Sequence, residues 1–385
     1  FPTRRSSDLR RSFLEISAGA IAGMAVLSMP HISFAAKGEI TPVTLAACPE
    51  DPQTAVQKSK MVNAGWDKLI NAANSLKDKS LSAKIKAVFD NPAPTFMQQY
   101  SSNADVQNVY NKLLDNGLVD SSKITADTLF PPLKNPAKSP QPFITAPGSG
   151  YDSHHAYPGG LVMHTLNNVT ILQGICNSYS NIFLYNVDYD AAIGGELLHD
   201  IAKPWVFQWQ DNGASLVELP IAKTGAHHIL SIAESIYRGF PADVIVAQAC
   251  AHDHPGTPDD EALVVGWIKS AAYIAQKDPV QLGLLSSNGQ TLPHPLKQEG
   301  FLVHLGDHDW VLSTPASQDS AAILKQIAVK EYGMSDKDTN SIKFNKFRNY
   351  VGAQISFMCL HHALSMGGDP YQQVLNFVKP IITMQ

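Results

Sequence analysis

Hydrophobic residues repeat with a helical period along most of this chain. In the N-terminal third, Val56, Leu69 and Ala73 follow a spacing near 3.6 residues, and the stretch VQNVYNKLLDNGLV predicts a further helix that Gly117 ends. No chemistry-bearing motif falls between residues 51 and 120. We therefore predict an N-terminal helical region over residues 36–128 that serves packing.

The helical pattern is interrupted in the middle of the chain and resumes strongly after it. Residues 129–150 are rich in Pro, Ser and Gly, which predicts a linker or a long loop that wraps the next unit. WVFQWQDNGASLVELP predicts a small hairpin that turns at Asn212-Gly213. The remaining pattern predicts an all-α domain over residues 151–385, with helices at 159–178, 188–200, 225–238, 242–252, 258–275, 300–312, 320–331, 341–366 and 371–378.

The first nine residues, FPTRRSSDL, fit no periodic pattern. They resemble the translation of a sequencing adapter, so we interpret residues 1–9 as an assembly artefact. The alternative is a genuine, truncated N-terminus.

Residues 10–35 resemble an export signal. They begin with Arg10-Arg11, continue as an apolar, Gly-rich run too short to span a membrane, and end with Ser33 and Ala35 at signal-peptidase spacing. The pattern is similar to a twin-arginine signal peptide, with a plain Sec signal as the alternative. We expect a periplasmic or otherwise exported protein, with the export machinery as the partner of its precursor and no membrane span in the mature chain.

Composition narrows the classes of partner. The 385 residues carry a formal net charge of −5, without the basic surplus that tracks a nucleic-acid backbone. A small-molecule partner is therefore expected. The four cysteines form no CxxC pair, and we interpret those in apolar helical runs as core residues, without assigning a disulfide.

Histidines concentrate where the main domain is predicted. Eleven of the fourteen fall between His154 and His308, in the segments HHAYPGGLVMHT, LLHDIAKPW, GAHHILSIAE, CAHDHPG and VHLGDHDW. His199-Asp200 directly follows apolar residues, where an unpaired imidazole or carboxylate would be costly to bury. A metal ion is one group that would compensate both.

Together these segments resemble the HD-domain superfamily of metal-dependent phosphohydrolases, over about residues 151–312. The resemblance implies an HD-type helical bundle with two divalent ions, iron or manganese with zinc as a further option, bridged by Asp200. The metal ligands that it implies are His164, His199, Asp200, His228, His252 and Asp307. It also implies that Lys203 faces the substrate, and His154, His155 and Tyr157 are candidate donors to substrate oxygens.

Three assignments have alternatives. His227 could replace His228, and Asp309 could replace Asp307. Asp253 stands where many relatives have a second histidine, for which His254 could substitute.

The resemblance predicts a hydrolase of small phosphate mono- or diesters, nucleotide-like ones among them. Asp200 and Lys203 would be its catalytic residues, and a metal-bound hydroxide its nucleophile. One branch of the same superfamily consists of diiron oxygenases that act on polyols or phosphonates, which is the first alternative. A non-catalytic, metal-dependent binding module is the second.

Overall fold

The fold is built almost entirely from helices, which confirms the predicted all-α class. The computed structural model describes residues 40–365 and 367–384, so residues 1–9 and the predicted signal at 10–35 lie outside it. The helices are α1 (Pro52–Gln57), α2 (Lys60–Asn74), α3 (Lys79–Asp90), α4 (Asn103–Asp115), α5 (Gly160–Phe183), α6 (Tyr189–Leu198), α7 (Lys203–Val206), α8 (Ala226–Tyr237), α9 (Ala242–Ala249), α10 (Pro258–Ile274), α11 (Glu299–Gly306), α12 (Trp310–Lys330), α13 (Ile342–Ser365) and α14 (Pro370–Val378).

Strands are short and peripheral among the described residues. β1 (Val43–Thr44) pairs in parallel with β4 (Ile382–Thr383), and β2 (Pro220–Ile221) pairs antiparallel with β3 (Thr224–Gly225). The first pair ties the beginning of the described chain to its end.

Local sequence explains several helix ends. The side chain of Asp188 accepts a hydrogen bond from the Ala191 amide and caps α6, as an N-cap carboxylate does. Gly117 adopts a φ of 67° and lets the Leu118 amide donate to the Leu113 carbonyl at 2.9 Å, which closes α4. The predicted C-terminal stop at Gly117 is therefore confirmed.

The N-terminal helices share one hydrophobic core with the histidine-bearing helices. Leu69 of α2 and Leu161 of α5 are both fully buried in this core. Trp66 on α2 packs against Phe143, with ring centroids 5.9 Å apart. The N-terminal region thus supports the helix that carries His164.

The Pro-rich segment 129–150 packs closely against α7 and the turn after it. Phe130 stacks on the buried Trp205 at 6.1 Å, and Nε1 of Trp209 donates to the Thr145 carbonyl at 2.8 Å. We predicted either a linker or a wrapping loop here, and the packing of the segment is that of a wrapping loop.

A second core cluster joins the three C-terminal helices. It contains Leu324 of α12, Phe347 of α13 and Val378 of α14, together with Tyr157 from the loop before α5. Ser356 interrupts α13 with a φ of 67°. The C-terminal helices therefore back the loop that carries His154 and His155.

Two predicted elements differ from those observed. α11 ends at Gly306 and α12 then runs unbroken from Trp310, where we predicted one helix at 300–312 and another at 320–331. Ser313, Ser317 and Ser320 are buried on the inner face of α12. Because these residues are polar, the hydrophobic pattern did not indicate a helix there. The predicted small hairpin forms in short form around the turn at Gly213, where the Gln210 amide donates to the Ala214 carbonyl and the Leu216 amide to the Gln208 carbonyl, both at 2.9 Å.

No helix within the described ranges is both long and apolar enough to cross a membrane.

Candidate metal centre

Three buried histidine and aspartate side chains meet at the first of two ligand groups. His164 lies on α5, His199 caps the end of α6 and Asp307 caps the end of α11. The Nε2 atoms of the two histidines are 3.3 Å apart, and Oδ1 of Asp307 lies 3.3 Å and 3.4 Å from them. Three donor atoms this close could hold a metal ion.

The neighbouring contacts orient these ligands. Nδ1 of His199 donates to the Glu196 carbonyl at 2.6 Å, which directs Nε2 at the group. Burial opposes the charged ring, but Asp200 and Asp307 outweigh it and raise the pKa of His199 well above its ordinary value, so a bound cation would replace the Nε2 proton. Nδ2 of Asn168, one turn after His164 on α5, donates to Oδ1 of Asp307 at 2.7 Å. Such outer contacts fix the direction of metal ligands and adjust their basicity.

A second ligand group lies on the other side of Asp200. It comprises Asp200, His227 and His252, with Nε2 of His227 3.5 Å from Oδ1 of Asp200. Nδ1 of His227 contacts Oε1 of Glu218 at 2.5 Å, and Nδ1 of His252 lies 3.3 Å from Oγ1 of Thr224. Both imidazoles of this group are therefore held through their other nitrogen, as His199 is in the first group.

The two carboxylates connect the groups. Oδ2 of Asp200 lies 3.0 Å from the Nε2 atoms of both His164 and His199, while its Oδ1 faces His227. Asp307 directs Oδ1 to the first group, and its Oδ2 lies 3.6 Å from Nε2 of His252. Each aspartate therefore presents one oxygen to each group, as bridging ligands do.

The electrostatics of the cluster suit cations. Burial disfavours the charged form of Asp200, but the charges of His199 and Lys203 outweigh it and hold the pKa of this carboxyl well below its ordinary value. Burial likewise opposes ionisation of Asp307, and His199 holds its pKa well below the ordinary value. Both oxygens of Asp200 are buried; Oδ2 contacts Lys203 and two imidazoles, whereas Oδ1 has no hydrogen-bond partner among the described residues and is available to a metal.

His228 does not join the cluster, in contrast to the sequence-based assignment. Its Nε2 lies 3.1 Å from the Ala249 carbonyl, and its ring stacks on that of His252 at 4.1 Å. Burial lowers the pKa of His228 to about 3, so the ring is neutral and donates this bond. The structure brings its neighbour His227 to Asp200 instead.

Lys203 is a buried cation beside the cluster. Its Nζ lies 2.5 Å from Oδ2 of Asp200, 2.5 Å from the Gly148 carbonyl and 3.4 Å from Nε2 of His154. Burial together with the charge of Lys203 lowers the pKa of His154 well below its ordinary value, so this ring is neutral. The structure therefore brings Lys203 and His154 together next to the first ligand group.

His155 and Tyr157, the other two candidate donors to substrate, contact each other, and His155 also contacts Asp309. Nε2 of His155 lies 2.9 Å from Oδ2 of Asp309, and together with His164 these two residues form a further set of donors that could hold a metal, so the structure leaves Asp309 as an alternative ligand. Tyr157 is fully buried against Phe357, and its hydroxyl lies 3.3 Å from Nδ1 of His155. Tyr157 thus supports His155 and does not face an open site.

Solvent reaches the cluster from the side of the second group. The His252 side chain is 22% exposed and that of His227 is 10% exposed, whereas the His164 and His199 side chains are at most 1% exposed. His154, which lies 4.8 Å from His164 between ring centroids, is also half-buried, so a ligand could reach the cluster past His252 or past His154.

Two residues that orient the ligands were not among the site residues predicted from the sequence. Asn168 lies four residues after His164 on α5, a spacing that places both on one helix face and could have indicated it. Glu218 lies in the irregular segment before β2, and no spacing connects it to His227.

The histidine considered as a substitute ligand lies elsewhere. His254 groups with Asp253 and His304, outside both ligand groups described above. It therefore does not take the place left by Asp253.

Comparison with known proteins gives one informative match. A curated protein of Methanocaldococcus jannaschii, dihydroneopterin 2′,3′-cyclic phosphate phosphodiesterase, is 32% identical over 153 residues, which are 36% of this chain and 59% of that protein. The chain thus spans about three fifths of the length of this relative. Neither a family model nor a solved structure matches the chain.

Proposed function

We propose that this protein is a metal-dependent hydrolase of small phosphate esters, with nucleotide-like cyclic phosphodiesters as its first candidate substrates. The observation that carries the proposal is the pair of ligand groups joined by Asp200 and Asp307. The similarity to a cyclic phosphate phosphodiesterase supports the same class of reaction.

The residues fit two divalent ions. His164, His199 and Asp307 would hold one ion, His227 and His252 the other, and Asp200 would contact both. When bound, such ions activate a water molecule and neutralise charge on a phosphoryl group. The donors are imidazole nitrogens and carboxylate oxygens without thiolate, which suits iron, manganese or zinc.

Lys203 would act on the phosphoryl oxygens. Asp200 and the Gly148 carbonyl fix its ammonium group, so little reorganisation is needed when negative charge develops nearby. Because the side chain is 2% exposed, its field is screened less than that of a surface lysine.

His154 and His155 have separate proposed roles. His154 is neutral and lies beside Lys203, so its ring can donate to a substrate oxygen once the substrate displaces the contact with the lysine. His155 is held by Asp309 and Tyr157, and it fixes the loop from which His154 extends.

The test is hydrolysis by the chain beginning at Ala36, loaded separately with manganese, iron or zinc, under anaerobic conditions. We would use a 2′,3′-cyclic nucleotide, a phosphate monoester and bis(p-nitrophenyl) phosphate, with Asp200→Asn as the control. Metal-dependent turnover that this variant loses would support the hydrolase. Turnover of a polyol or phosphonate only in the presence of oxygen would instead identify a diiron oxygenase, and tight ligand binding without turnover a binding module.

We also propose that the protein is exported. Arg10-Arg11 and the apolar run after them support this, and they lie outside the described residues. Fusing residues 10–40 to a reporter active only after export tests the proposal. Export lost on Arg10→Lys with Arg11→Lys would indicate the twin-arginine route, export unaffected by it would indicate the Sec route, and no export of the unchanged fusion would refute the proposal.

A further inference from the structure

A second cluster of metal-binding side chains lies apart from the candidate centre. It consists of Asp253, His254 and His304, each of which offers one ligand atom, and these atoms all lie within 4.8 Å of one another. We propose that this accessory cluster binds a single Zn²⁺ or a similar transition-metal ion. The inference does not depend on the reaction proposed above, because it concerns different side chains and a different observable.

His304 is the most rigid member of the accessory cluster. It lies on α11, is buried, and places Nδ1 3.1 Å from the Ala251 carbonyl. In the neutral ring, Nδ1 carries the proton and donates it to this carbonyl. Its Nε2 therefore carries a lone pair, which is the state a metal ligand requires.

Asp253 supplies the negative charge. Its Oδ1 accepts a hydrogen bond from the backbone amide of His254 at 2.8 Å, which fixes the carboxylate and leaves Oδ2 for a cation. Two imidazoles and one carboxylate, with a water molecule in the fourth position, form a common zinc environment.

His254 is the adjustable ligand. Its ring lies nearly parallel to Phe301 at 6.1 Å and meets the edge of the His304 ring at 5.1 Å. Nδ1 accepts a hydrogen bond from the Gly256 amide at 3.0 Å, and the side chain is 41% exposed. A cation must compete with this bond or shift the ring proton, so binding here should be weaker and exchange faster than in the buried centre.

A further imidazole lies close by. His308 lies four residues after His304, in the turn beyond the end of α11; its side chain is exposed, and the two ring centroids are 4.3 Å apart. His308 is not one of the three residues whose donor atoms converge, but its ring adds to the imidazole-rich surroundings. The two imidazole ligands of the cluster favour an ion that prefers nitrogen, such as zinc, over magnesium or calcium.

The accessory cluster shares two segments with the candidate centre. Asp253 directly follows His252, and His304 lies three residues before Asp307 on α11. An ion here would tie the segment around His252 to α11. We therefore expect zinc to slow proteolysis or hydrogen exchange of residues 252–256.

The experiment is a calorimetric titration with Zn²⁺ of the chain that begins at Ala36. Variants in the accessory cluster and in the candidate metal centre are titrated in parallel. Wild type should show tight binding plus one weaker equivalent. His254→Ala and His304→Ala should each lose only the weaker zinc equivalent. His164→Ala should lose the tight binding and retain the weaker equivalent. His294→Ala is the matched control, because this exposed histidine pairs with Glu261 outside both clusters, and its titration should equal that of wild type.

Identical titrations for wild type, His254→Ala and His304→Ala would overturn the proposal. His254 is half-buried at the surface, so its removal should leave the fold intact even if His304→Ala does not fold. The outcome is separable from the proposed hydrolase, since a chain without phosphodiesterase activity can still lose the weaker zinc equivalent in His254→Ala.

Discussion

Oδ2 of Asp200 lies 3.0 Å from Nε2 of His199, although the two residues are sequence neighbours. Adjacent side chains inside a continuous helix point in different directions. Here α6 ends at Leu198 and His199 is its C-cap, so the chain turns and both side chains face the same cluster. The end of a helix is therefore what allows a His-Asp dipeptide to act as one pair of ligands.

Asp200→Asn should abolish the proposed activity. The amide keeps the shape but removes the charge that faces His199 and Lys203, and it cannot bridge two cations equally well. We expect a fall in kcat of at least about 10²–10³-fold, the scale reported for removing one key electrostatic group from an active site. Bound metal measured after gel filtration should fall with it. Unchanged metal content and turnover would contradict the role of Asp200.

Replacing His227 and His228 separately tests which of them binds metal. His227→Ala should remove a ligand of the second group, with loss of metal and activity. His228→Ala should keep both, because that ring faces the Ala249 carbonyl, but should lower the free energy of unfolding by about 0.5–3 kcal/mol. Metal analysis and thermal unfolding of both variants decide between the two histidines. Loss of metal in His228→Ala but not in His227→Ala would identify His228 as the ligand.

This pair also shows how far the sequence could predict the centre. The resemblance to the HD-domain superfamily implied five ligands that the structure brings together: His164, His199, Asp200, His252 and Asp307. The resemblance to relatives favoured His228, but two neighbours on a helix differ in direction by about 100°. The choice depends on Glu218, whose Oε1 contacts both the amide and Nδ1 of His227.

The fold was predictable to a similar degree and for similar reasons. Helical periodicity indicated the class and most helices, because it depends on near neighbours in sequence. It could not show that Phe130 stacks on Trp205 or that Phe143 packs against Trp66, since these contacts span long distances along the chain. The packing of the Pro-rich segment 129–150 therefore appeared only in the structure.

Asn168→Ala should weaken metal binding without removing a ligand. The side chain donates to Oδ1 of Asp307, and loss of such an orienting bond costs about 10–100-fold in metal affinity. Competition with a chromophoric chelator would measure this. Asn167→Ala is the matched control, because its half-buried side chain is next along the helix and has no described contact with the cluster. Equal affinities in the two variants would remove Asn168 from the centre.

Lys203→Met should separate substrate chemistry from metal binding. Methionine keeps much of the length but lacks the charge that we propose stabilises phosphoryl oxygens. We expect kcat to fall by about 10²–10³-fold while the bound metal remains, since Lys203 is not a ligand. Lys203→Arg should recover little, because a guanidinium does not fit between Asp200 and the Gly148 carbonyl. Full activity of Lys203→Met would show that the lysine only balances the charge of Asp200.

The cysteines should react slowly with thiol reagents in the native protein. Burial raises the pKa of Cys48, Cys250 and Cys359 to about 12 and that of Cys176 to about 11. Because the thiolate is the reactive form, native labelling at pH 8 should be on the order of 10³-fold slower for a pKa near 12 than for an unfolded thiol. The rate should rise about tenfold per pH unit up to pH 10, whereas unfolded thiols level off near pH 9. All four should react in guanidinium chloride without reductant, since no disulfide joins the cysteines of the described residues. Reaction of only two would reveal a disulfide and contradict this.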